Sequence, residues 1–183
     1  MNPILVDWSN YYVITGSSAA ALTGLMFVVI TLVAGQERAA KNMRDGVETF
    51  SSPTVVHFCA ALLVSAILAA PWSSLNGAAI ALGLTGLGGM AYGARVLWRM
   101  SRPRGYSPEF DDFLWYAVVP VGAYVAIFAA ALALPASPAD SLFVLAGGTI
   151  ALIFTGIRNA WDVVTFIAVE FKAPDQPPDQ PPE

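Results

Sequence analysis

Apolar side chains fall into five long blocks separated by short polar breaks, at about 12–34, 54–72, 78–98, 113–134 and 141–160. An α-helix rises 1.5 Å per residue, so crossing a ~30 Å hydrocarbon layer takes ~20 apolar residues, close to the length of each block. The pattern predicts an all-α, polytopic helical bundle of five transmembrane helices spread over residues 1–171. Local signals mark the helix starts. Ser9 is a candidate cap for the first span, with Trp8, Tyr11 and Tyr12 at the interface. Ser52 before Pro53 suits the start of the second, and Ser107-Pro108-Glu109 that of the fourth. Pro135-Ala-Ser-Pro138 breaks the chain ahead of a fifth span beginning near Ser141.

Charge orients these spans. Arg38, Lys41 and Arg44 lie in the connection from Gly35 to Pro53, and Arg95, Arg99, Arg102 and Arg104 lie at and after the end of the third block. Arg158 and Lys172 lie at or beyond the end of the fifth. The N-terminus, Ser73 to Gly77 and Pro135 to Asp140 carry no Lys or Arg. Five spans with the N-terminus outside put all nine basic residues in the cytoplasm, as the positive-inside rule requires. No basic n-region precedes the first block, so a retained anchor is expected rather than a cleaved signal.

Small residues suggest how the helices meet. Gly16, Ala20 and Gly24 recur every four positions in the first span, Gly89 and Gly93 form a GxxxG in the third, and Gly148 and Gly156 share a face of the fifth. Such spacing lets helix backbones approach closely in lipid, inside the bundle or between copies. Pro120 and Gly122 are expected to kink the fourth span, with Tyr116, Pro120 and Tyr124 on one face. Within residues 36–50, Ala40, Met43, Val47 and Phe50 recur at helical spacing, predicting a cytoplasmic amphipathic helix against the membrane surface or the tail. Residues 172–183 are proline-rich and acidic and read as a disordered tail.

Composition narrows the classes. The chain has 183 residues, 56% hydrophobic and 12% charged, where a soluble domain has about 25% charged. No basic run points to nucleic acid. Cys59 is the only cysteine, which excludes an intrachain disulfide and a CxxC motif, and nothing predicts a metal or cofactor. Ser17, His57 and Asp162 would be the enzyme candidates, but the block pattern sets Ser17 and His57 far apart in depth, and no GxSxG or HExxH motif is present. His57 is expected at the inner interface, bonding a backbone group or water. The constellation with most chemical promise is GIRNAWD, Gly156 to Asp162. Arg158 and Asp162 are four residues apart and can pair, with Thr155 and Asn159 completing a candidate polar stripe. The pair either snorkels to the inner boundary or is drawn into the bilayer, where it would mark a functional site.

GSSAAALTGLMFVVITL in the first span, DDFLWY with Pro120 behind it, and GIRNAWD together resemble a group of small uncharacterised bacterial inner-membrane proteins with no assigned activity. The resemblance covers most of the membrane part but not the tail, and implies bacterial origin and inner-membrane placement. The expected role is that of a non-catalytic accessory or interaction protein, assembling in the bilayer with itself or a larger membrane partner. The alternative is a small oligomeric channel or transporter subunit lined by the stripe around Arg158 and Asp162.

Overall fold

The computed structural model describes residues 2–34, 41–100 and 113–170, and side-chain surroundings within 2–31, 53–98 and 113–165. Every regular element among these residues is helical: α1 Pro3–Asp7, α2 Ser9–Ala34, α3 Lys41–Ala69, α4 Leu75–Met100, a π turn Leu114–Val118 leading into α5 Val119–Ala133, and α6 Pro138–Glu170. Four helical stretches are long and apolar enough to cross a membrane: Ser9–Thr31, Leu75–Trp98, Leu114–Ala133 and Pro138–Thr165. The apolar part of α3, Pro53–Ala69, is shorter. The chain is thus a membrane protein by the length and composition of its helices.

Several boundaries differ from the sequence expectation. Helix α1, capped by the Asn2 side chain, has no counterpart among the predicted blocks. Ser9 is the first residue of α2, not its cap. Helix α3 does not start at Pro53 but runs through it from Lys41, so the backbone of 41–50 continues the second apolar block instead of forming a separate surface helix. The side chains of that segment, the Ser107-Pro108-Glu109 start, Asp111 and Asp112, and the tail 172–183 lie outside the described residues. Helix α6 begins at Pro138, three residues early, because proline is tolerated in a first turn whose N–H groups lack helical partners anyway. Its 33 residues make it ~50 Å long.

Neighbouring helices α3, α6, α5 and α4 close a ring, and α2 lies against α3. The pairing is antiparallel. Along α4, Gly83, Gly86, Gly89 and Gly93 face Ala131, Phe128, Tyr124 and Val121 in turn on α5. On α6, Gly148 faces Ile127 of α5 and Gly156 faces Phe58 of α3. One end of the bundle gathers the N-terminus, the α3–α4 connection and the α5–α6 connection: Asn2 N–H donates to the Trp72 carbonyl at 2.9 Å, and the Tyr12 hydroxyl donates to the Leu142 carbonyl at 3.3 Å. More than half of the apolar stretch of α6 is buried (56%), against 22% in α2 and 17% in α4, so α6 is the central helix. The outward faces carry large apolar side chains such as Ile80, Leu84, Leu132, Phe143 and Phe154, each more than 60% exposed. That surface suits lipid and would be an aggregation liability in water.

The packing glycines divide. A methyl group on Gly89 would run into the Tyr124 ring, one on Gly93 into Val121, and one on Gly156 into Phe58. Here the absence of a Cβ is what lets the backbones approach. Gly16 packs on Ser65, but Ala20 and Gly24 are exposed, and nothing lies within 4 Å of a methyl group placed on Gly24. Within the bundle, then, Gly16 packs on a neighbouring helix while Ala20 and Gly24 face outward. A four-residue step turns ~40° too far each time, so the stripe drifts off the buried face of Tyr12, Thr15, Gly16 and Ala19. Gly89→Ala should lower thermal stability in detergent by about 1–3 kcal/mol through overpacking, whereas Gly24→Ala should leave it unchanged or raise it by up to ~1 kcal/mol through helix propensity. Equal effects at both positions would show that the α4–α5 approach is not glycine-limited.

Candidate functional site

The predicted stripe on α6 crosses two surroundings. Arg158 Nη1 and Asp162 Oδ1 form a salt bridge one turn apart, with side chains 38% and 35% exposed. Thr155 and Asn159 are fully buried, on the face that includes Leu152, Gly156 and Val163. At 100° per residue the mean direction of 155 and 159 lies ~60° from that of 158 and 162, so the stripe runs from the buried face onto its flank.

The helix register gives the pair its level. Extending the α4–α5 and α5–α6 facing residues sets Trp98 beside Tyr116, and Tyr116 beside Asn159. Trp98 and Trp161, 57% and 67% exposed, thus lie within ~3 Å of one level along the bundle. At the other end, the Trp8 ring meets Phe143 edge-on at 4.7 Å. From Phe143 to Trp161 is ~27 Å of helix, about the thickness of a hydrocarbon core. Exposed tryptophans at the second level, and Trp8 at the first, match the aromatic belts that flank a bilayer. Arg158 and Asp162 accompany the second belt.

The interior holds polar groups that sequence reasoning did not bring together. His57 is 2% exposed, and its Nδ1 is 3.0 Å from the hydroxyl of Tyr124, itself fully buried, so on this side its partner is a side chain of another helix. Either atom can donate, and the histidine tautomer follows from which one does. This bond ties α3 to α5. Nearer the N-terminal end, Thr15 and Ser65 hydroxyls meet at 3.0 Å between α2 and α3, and Tyr11 donates to the Ala146 carbonyl at 2.8 Å. Tyr124 and His57 each stand alone in apolar runs 67 residues apart, so only the folded register could pair them. Thr54 is also fully buried on α3.

Pro120 reshapes the helix beside this layer. The Val119 N–H donates to the Leu114 carbonyl five residues back, giving a π turn immediately before the proline. Pro120 has no N–H to offer the carbonyls of Trp115 or Tyr116, and the widened turn relieves the crowding its ring would impose on a regular helix. Tyr116, Pro120 and Tyr124 are all buried on one face, as expected.

Ser17, His57 and Asp162 are not brought together. Ser17 is exposed on α2, about 10 Å from His57 in level alone, and Asp162 is bound to Arg158. Among the described residues, no cluster of three His, Cys, Asp or Glu is arranged to hold a metal ion. No family model matches the chain, and neither the curated proteins nor the solved structures include a match.

The two polar groupings should respond differently to substitution. Tyr124→Phe leaves buried Nδ1 of His57 without its partner and should cost about 1–3 kcal/mol of stability in detergent. Arg158→Ala and Asp162→Ala, breaking a partly exposed pair, should each cost under ~1 kcal/mol and add when combined. A large loss from either α6 substitution, partly restored in the double variant, would mean the pair is desolvated in the native membrane protein.

Proposed function

We propose that this chain is a five-pass protein of the bacterial inner membrane that acts without catalysis, as an assembly or accessory component. The N-terminus lies outside and the C-terminus in the cytoplasm. The distribution of Lys and Arg supports this orientation, since every one falls on the same side once five helices alternate. The 17 apolar residues of Pro53–Ala69 reach the lower end of the length needed to span, and α3 runs beside the longer α6. The resemblance to small bacterial inner-membrane proteins supports the compartment.

One observation carries the assembly reading: the outer face of α2. Ser17, Ala20, Ala21 and Gly24 are exposed there, small residues on a helix otherwise flanked by Ile14, Leu25, Phe27 and Val28. The bundle's own packing uses the other side of α2. In lipid, a small-residue face lets another helix approach closely, and hydroxyls such as Ser17 can hydrogen-bond across the contact. The channel reading has less support, because Arg158 and Asp162 lie on a flank of α6 and not on its buried face.

Native mass spectrometry of the purified protein in mild detergent tests this. The wild type should be a homo-oligomer or carry a membrane partner. Gly24→Ile, into open space, should shift it to the bare monomer without lowering its melting temperature. A wild type that is already a bare monomer, or a Gly24→Ile variant that assembles unchanged, contradicts the reading.

A further inference from the structure

The hydrogen bonding of buried polar side chains differs between the two halves of the bundle. Near the N-terminal end, Tyr11, Tyr12, Thr15, Ser65 and Thr149 all bond within the protein, and Ser141 in the first turn of α6 is the exception. In the other half, His57 Nε2, Thr155 Oγ1, and both Nδ2 and Oδ1 of Asn159 are buried with no hydrogen-bond partner among the described residues. Thr155 and Asn159 are 0% exposed and His57 2%.

These groups share one layer. With Gly156 beside Phe58 in an antiparallel pair, Thr155, His57 and Asn159 fall within about 6 Å of one another along the bundle axis. Positions 155 and 159 also lie within ~20° of the direction of Gly148, which packs on Ile127 of α5. They therefore face α5, at the levels of Tyr116 and of Pro120, which has no N–H to donate. Tyr124 brings His57 to the same helix from the α3 side.

The chemistry of this layer is neutral and mixed. An amide offers donor and acceptor together, a hydroxyl does the same, and an imidazole nitrogen offers one or the other. Among the residues named for this layer, no carboxylate is present to favour a cation. The nearest guanidinium, Arg158, is engaged with Asp162 on the flank. Buried polar groups that lack protein partners are characteristically satisfied by buried waters making two to four hydrogen bonds each. We infer that His57, Tyr124, Thr155 and Asn159 enclose an internal binding site for a small uncharged hydrogen-bonding molecule, with water its simplest occupant. The site is separate from the α2 face and does not depend on assembly.

Water-edited solid-state NMR of the full chain in lipid tests this, with water as the probe. Magnetisation from water should reach the side chains of His57 and Asn159 as fast as it reaches exposed Ser73 and Ser74, and several-fold faster than it reaches Leu152. Asn159→Leu, close in size but unable to bond, should slow transfer to His57 to the rate of Leu152 while the melting transition stays cooperative. Thr155→Val should slow it in part. Transfer as slow as at Leu152 in the wild type would overturn the proposal, as would transfer to His57 undiminished in Asn159→Leu. A shift of the Asn159 signals on exchanging sodium for potassium would overturn it in favour of a cation.

Discussion

Hydrocarbon offers no hydrogen-bond partner, and most of this structure follows from that constraint. Main-chain groups are satisfied inside helices, which is why every regular element described in so apolar a chain is helical. Polar side chains must then find partners in the bundle or reach its ends. Thr23, Thr31, Thr85 and Thr165 return their hydroxyls to carbonyls one turn back on their own helices. Thr15 finds Ser65, Tyr12 finds a carbonyl of α6, and His57 finds Tyr124. Each of these interhelical bonds also fixes which helix stands beside which. Apolar contact alone would discriminate poorly, because lipid tails are as apolar as leucine.

Close backbone approach is the second half of the same logic. In lipid, helices adhere through van der Waals contact, so the α4–α5 seam is built where Gly86 and Gly89 let α5 come near enough to bring Phe128 and Tyr124 against α4. Tyr124 then does two things at once: its ring fills the space that Gly89 leaves, and its hydroxyl holds His57. The π turn before Pro120 belongs to this seam too, since it sets the rotation at which Tyr116 and Tyr124 enter the interior.

Much of the architecture was legible from hydrophobic blocks, because block length and period are local properties. Four of the five blocks correspond to helices long enough to cross a membrane, and Gly89 and Gly93 lie against Tyr124 and Val121 of α5. Less legible was whatever depended on rotation or on neighbours. The four-residue repeat of Gly16, Ala20 and Gly24 starts on the buried face and winds round to the outside, so spacing alone does not say which neighbour each residue meets. Pro53 has the character of a helix start, yet position 53 is interior to α3. Sequence proximity groups Thr155 and Asn159 with Arg158 and Asp162, and the helix turns them to different surroundings. His57 gave no signal of its partner, because Tyr124 lies two helices later and only the stacking of α3, α5 and α6 unites them.

Belts, interior bonds and flank charges all take their meaning from where the bilayer sits along α6. On the proposed reading, hydrocarbon fills the depth between the level of Trp8 and Phe143 and the level of Trp98 and Trp161, with Arg158 and Asp162 at the cytoplasmic boundary. Spin labels placed one at a time at Phe143, Ile150, Phe154 and Trp161, in a Cys59→Ser background in lipid, measure this directly through collisions with oxygen and with a water-soluble nickel complex. Oxygen collisions should peak at Ile150 and Phe154, and nickel collisions should rise at both Phe143 and Trp161. Nickel access at Phe154 equal to that at Trp161, or oxygen access still climbing at Trp161, would contradict this placement of the membrane.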